Sequence, residues 1–195
     1  MSEQVAATGL DQLRARVRAD RRTVTAPLLM LGGLAVLHAV AWIAAPGPAA
    51  RHTVLFAYWP VAGAVALFGL WAYANRVADR DGVGGGRRSY RPIALGYLVS
   101  LPLLAILFLP AFLLGVFGPL LWPAMILWAV AARQHNQTLR TVAKALALAG
   151  AVQLVLALVT STAGGVAAAG AAYALDLLAA AGLLAGAVIT TRRAR

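Results

Sequence analysis

The chain has 195 residues, 62% of them hydrophobic and 12% charged, with a mean hydropathy of +0.79 and a formal net charge of +11. A soluble domain carries about 25% charged residues, so the composition excludes one and leaves no length for a soluble catalytic domain beside the apolar blocks. With no cysteine, disulfides, thiolate nucleophiles and cysteine-ligated zinc are excluded too.

In chain order, the first element predicted is a short helix. Leu10, Leu13 and Val17 recur at three- and four-residue spacing with arginines on the remaining faces, the pattern of an amphipathic helix lying on the inner leaflet, within a cytoplasmic segment 1–23. Apolar blocks follow at about 24–45, 53–74, 93–132, 141–161 and 166–190. The third is double length. Forty helical residues would reach about 60 Å, twice a hydrocarbon core, so this block must fold back as spans at about 93–112 and 114–132. Pro110 and Gly118-Pro119 each offer the turn. The expected fold is all-α: a polytopic membrane protein, a six-transmembrane-helix bundle in one domain over 1–195, with the interfacial helix at its start.

Charge tests that count independently, because Lys and Arg accumulate in cytoplasmic loops near span ends. With both termini inside, the inner segments hold Arg14 to Arg22, Arg76 to Arg91, Arg133 to Lys144, and Arg192 to Arg195. Sixteen of the 17 basic residues then fall on one side, with Arg51 alone outside. A single crossing by 93–132 would split the last two groups. The positive charge therefore points to anionic headgroups at the cytoplasmic face of the inner membrane and not to nucleic acid.

Between spans two and three, Gly82, Gly84, Gly85 and Gly86 stand beside Arg87 and Arg88. Arg87 occupies the place of the third glycine of a dinucleotide loop and no strand precedes it, so the segment reads as a linker. Trp42, Tyr58 and Trp59 near outer ends, and Trp71, Tyr73, Tyr90, Tyr97 and Trp128 near inner ends, are expected as interfacial anchors. Gly182 and Gly186 form a G-x-x-x-G, and Ala62 and Ala66 a similar pair; both are expected to pack within the chain, and a homo-oligomer stays open.

One residue breaks the apolar rule of the last span. Asp176 costs about 2.5–3.5 kcal/mol at a span centre, so it must find a partner or a wet cavity in the bundle interior. Tyr173, three residues earlier, could donate to it. Asp176, Gln153 and His38 lie roughly ten, eight and seven residues from the outer ends of spans six, five and one, which puts them in one layer about 10–15 Å below the outer surface. A Gln153 to Asp176 contact is the expected pairing. Two readings follow: a proton or cation site with His38 as relay, or hydrogen-bonded glue between helices.

No metalloprotease, nucleophile-elbow or paired-carboxylate motif is present, and His38, His52 and His135 belong to different depths. Catalysis, cofactors and metals are therefore not expected. The function expected is transport-related, as a permease-like protein or an accessory membrane subunit. The alternative is a structural or regulatory membrane partner whose basic cytoplasmic face holds anionic lipid or a soluble protein.

Overall fold

The structure, a computed structural model, describes residues 24–81, 87–107, 117–163 and 166–192. The described residues contain no strand and carry helices α1 (Val24–Ala44), α2 (Pro48–Asp81), α3 (Arg87–Leu107), α4 (Leu121–Gln134), α5 (Gln137–Ala163) and α6 (Val166–Arg192). Four are long and apolar enough to cross a membrane: α1, and the stretches Ala49–Val77 of α2, Gln137–Val159 of α5 and Ala174–Arg192 of α6. The amphipathic helix expected within 1–23 lies outside the described residues, as do 108–116 with Pro110.

The outer surface is greasier than the interior. Ile43, Ile106, Leu148 and Leu178 are each at least two-thirds exposed, whereas much of the core is alanine: Ala35, Ala39, Ala66, Ala94, Ala131 and Ala187 are all buried. In water each bare leucine would forfeit about 1.5–3 kcal/mol. Against lipid tails it forfeits nothing, and close approach of small residues becomes the main source of helix cohesion.

Side-chain contacts fix the order of the helices. Thr25 hydrogen-bonds Thr190 at 3.0 Å, Gly186 faces Leu28, Gly32 faces Leu184, and His38 meets Asp176. As α1 advances, α6 runs back, so the two are antiparallel neighbours. On the other flank of α1, Tyr58 donates to the Leu34 carbonyl at 2.6 Å and Gly69 abuts Met30. Hence α2 is antiparallel to α1 as well. The same end of the bundle then carries Arg76 and Arg80 of α2 with Arg192 of α6, while Arg51 stands at the opposite end, its guanidinium 5.9 Å from the Trp42 ring centroid.

A two-residue turn joins α4 to α5. His135 takes the left-handed conformation (φ 52°) that closes the α4 C-terminus, and Asn136 accepts the Leu139 N–H at 3.1 Å as the N-cap of α5. A polar side chain in that place satisfies a donor that the helix itself leaves open. Residues 133–140, expected as a loop, are thus helical except at this pair. Buried Tyr90 on the first turns of α3 accepts a hydrogen bond from Gln134 Nε2 at 2.9 Å. Burial pushes its phenol above the usual value, and the Gln134 bond works against that rise.

A turn sets the other end of α4. The span expected at 114–132 begins in residues outside the described ones; the described helix α4 starts at Leu121, after a turn in which the Leu121 N–H donates to Gly118 O at 2.8 Å and Trp122 N–H to Pro119 O at 3.3 Å. Its 14 residues reach about 21 Å, so a crossing of a hydrocarbon core of about 30 Å would take in residues before the turn as well. The reason for the turn is local: Pro119 in it has no backbone donor, while Pro123 falls in the first turn of the helix, where its missing N–H leaves no bond unmade.

Tyr97 of α3 clasps α2 beside Pro60, donating to the carbonyls of Trp59 (3.2 Å) and Pro60 (3.3 Å). Gly63 makes the room: a Cβ there would overlap the Tyr97 hydroxyl and come within 2.7 Å of its Cζ and 2.9 Å of Ile126 Cδ1. The ring is held by its hydrogen bonds and cannot swing away. Gly63→Ala is therefore expected to cost about 1–3 kcal/mol, read as a fall in detergent Tm of about 2–4 °C per kcal/mol; an unchanged Tm would contradict this packing.

Candidate functional site

The chain supplies three buried polar residues at one level, from three of the four long apolar helices. His38 sits on α1, Gln153 on α5 and Asp176 on α6, with relative exposures of 0%, 0% and 1%. His38 Nδ1 lies 3.0 Å from Asp176 Oδ2, and Gln153 Nε2 donates to Asp176 Oδ1 at 2.7 Å. Each carboxylate oxygen therefore has its own partner from a different helix.

Gln153 cannot be turned round. Its Oε1 accepts the backbone N–H of Leu120 at 3.2 Å, and a peptide N–H only donates, so the amide oxygen must face Leu120 and the amide nitrogen must face Asp176. Leu120 belongs to the turn that opens α4. The turn is thus stitched through Gln153 to the carboxylate, and from there to α1. This is a buried network in which every bond constrains the next.

The fourth long helix closes the layer with aromatic rings. His38 lies 4.9 Å from the Tyr58 ring and 5.7 Å from the Trp59 ring, each tilted by 48°, and Tyr58 meets Trp59 edge-on at 5.6 Å. Sequence reasoning placed Tyr58 and Trp59 at the headgroups. Instead Trp59 is 1% exposed and the Tyr58 hydroxyl is spent on the Leu34 carbonyl. The missed signal was depth: both lie on α2 at the level of His38, beside a proline. The Leu120 N–H was also missed, since no side-chain pattern announces a backbone donor.

Two polar atoms of the cluster are buried without a hydrogen-bond partner among the described residues, His38 Nε2 and Trp59 Nε1. The side chain of Tyr173, a fourth candidate, lies outside the described residues. Of the small-residue pairs, Ala62 and Ala66 are buried and Gly186 packs on Leu28 at 3.6 Å, whereas Gly182 faces open space.

Fold and site together define a class: an all-helical protein with helices fit to cross a membrane, converging on one buried His–Asp–Gln network. Compared with protein families, curated proteins and solved structures, the chain has no significant match.

Proposed function

We propose that the chain is a single integral domain of the cytoplasmic membrane, crossing it six times with both termini in the cytoplasm, and that it works in transport, without catalysis, as a small permease-like protein or as a membrane subunit of a larger transporter. The observation that carries this reading is the convergence of α1, α2, α5 and α6 on the His38–Gln153–Asp176 layer. A carboxylate in the membrane interior is expensive and marks an ion or substrate path more often than it marks packing. The interfacial segment 1–23 and the basic end of the bundle bind anionic lipid in this reading.

Chemistry of the chain makes the topology easy to test, for it holds no cysteine. Single substitutions Ser2→Cys, Ser89→Cys and Ala194→Cys are expected to resist a membrane-impermeant maleimide in intact cells, while Arg51→Cys and Gly164→Cys react. Labelling of Ser2→Cys and Ala194→Cys on opposite sides would overturn the six-span arrangement. Transport itself is read in proteoliposomes, by pH- and potential-sensitive dyes across a panel of cations and solutes; wild-type flux that Asp176→Asn abolishes is the expected result, and equal flux in both would remove the site from the path. The gathering of arginines at one bundle end favours a second reading, a docking partner for lipid or a soluble protein. Undiminished vesicle binding after removal of residues 1–22 would count against it.

A further inference from the structure

The geometry points to the proton as the ligand of this layer: Asp176 and His38 form a carrier that takes up and gives back one proton, with His38 Nε2 as its port. This rests on the transport reading and specifies what the site holds. The donor set selects among cations. Gln153 Oε1 is committed to the Leu120 N–H, the Leu34 carbonyl to Tyr58, and one face is an imidazole. Among the described residues that leaves too few free oxygens for sodium or potassium, while a hydrogen-bonded carboxylate and imidazole suit a proton.

Charge counting then assigns the loaded state. Facing the pair are Gln153 from α5, Tyr58 and Trp59 from α2 and, through Gln153, the Leu120 N–H. Every described Lys and Arg lies within about two turns of a helix end, away from this level. With a neutral imidazole and an ionised carboxylate the layer would hold a net charge of −1 and no counter-ion. One proton more makes it neutral, and in a dry interior the neutral form is favoured by the cost of burying a bare charge. The buried arrangement described above is therefore the loaded one, and release needs water to reach the site.

The transfer balances within the pair. An incoming proton bonds to the lone pair of Nε2; the Nδ1 proton moves across the 3.0 Å hydrogen bond to Asp176 Oδ2; an imidazole with an Nε2–H and a neutral carboxylic acid remain. Release reverses the sequence. Throughout, the Gln153 amide donates to Oδ1 alone, so the second oxygen is always the one that carries the proton. That explains why Nε2 is buried at the edge of the cluster without a partner among the described residues: an internal hydrogen bond there would block the port.

The test needs no variant to begin with. The whole chain, labelled with carboxyl-13C aspartate and held in lipid, is studied by infrared difference spectroscopy between about pH 5 and 9. The expected result is a 13C-sensitive carboxylic-acid band that appears and vanishes together with an imidazole signal. The band is absent in Asp176→Asn, and its midpoint moves at least about tenfold in proton concentration in His38→Gln. A band that keeps one protonation state across the range, or one that titrates identically in His38→Gln, overturns the inference. If the band titrates while proteoliposomes move no ion or solute, the transport reading fails and the proton site stands. Vesicles that transport around a carboxyl of constant state sink the proton site alone.

Discussion

Asp176→Leu is expected to unfold the layer, lowering stability by about 2–4 kcal/mol in a mixed-micelle denaturation, whereas Asp176→Asn stays within about 1 kcal/mol of wild type. The difference follows from what each leaves behind. Leucine removes the acceptor of the Gln153 amide and the partner of His38, so two groups with exposures of 0% lose their bonds at once. An interhelical hydrogen bond in lipid is worth only about 0.6 kcal/mol on average. The larger effect expected here comes from orphaning, at about 1–3 kcal/mol per buried polar group. Asparagine keeps an oxygen for Gln153 and presents a donor to His38 Nδ1. If the two variants lost stability equally, charge would hold the layer and hydrogen bonding would not.

Gly150→Ala is expected to cost about 1–3 kcal/mol, and Gly150→Leu more, although neither touches a polar residue. A Cβ on Gly150 would come 2.8 Å from the backbone nitrogen of Leu121 and 2.9 Å from its Cδ2. Backbone cannot yield as a side-chain tip does, and this backbone is pinned: Leu121 N–H donates to Gly118 O and the preceding Leu120 N–H to Gln153 Oε1. Pushing α4 away would therefore stretch the bond that orients Gln153. The control is Gly182→Ala, which meets nothing within 4 Å and is expected to gain up to about 1 kcal/mol from helix propensity. Equal thermal stability of the two variants would mean that α4 and α5 do not touch at Gly150.

Much of this was legible from periodicity and cost alone. Long apolar runs announced helices because a backbone in lipid must satisfy itself, and one carboxylate among leucines announced a polar layer because nothing cheaper explains its presence. Counting residues inward from span ends set His38, Gln153 and Asp176 at one depth, since helical rise converts sequence distance into depth with little ambiguity. Azimuth was not legible. In an alanine-rich helix most faces look alike, so nothing in the sequence said that Tyr58 and Trp59 turn towards His38 and not towards the headgroups. The position of the turn that opens α4 was hidden for a related reason: residues 114–132 are uniformly apolar, and Gly118-Pro119 reads equally as a loop between spans or a break within one.

Antiparallel pairing of α1 with α6 has a consequence for biogenesis. Ribosomes make α1 before α6, so His38 exists long before Asp176 does. Until α6 is in place, the imidazole must be tolerated unpaired by Asp176, with neighbours that shield it. Assembly is then a clasp that shuts only after α6 has been made, and a ribosome stalled before Asp176 should leave a product open to quality-control proteases.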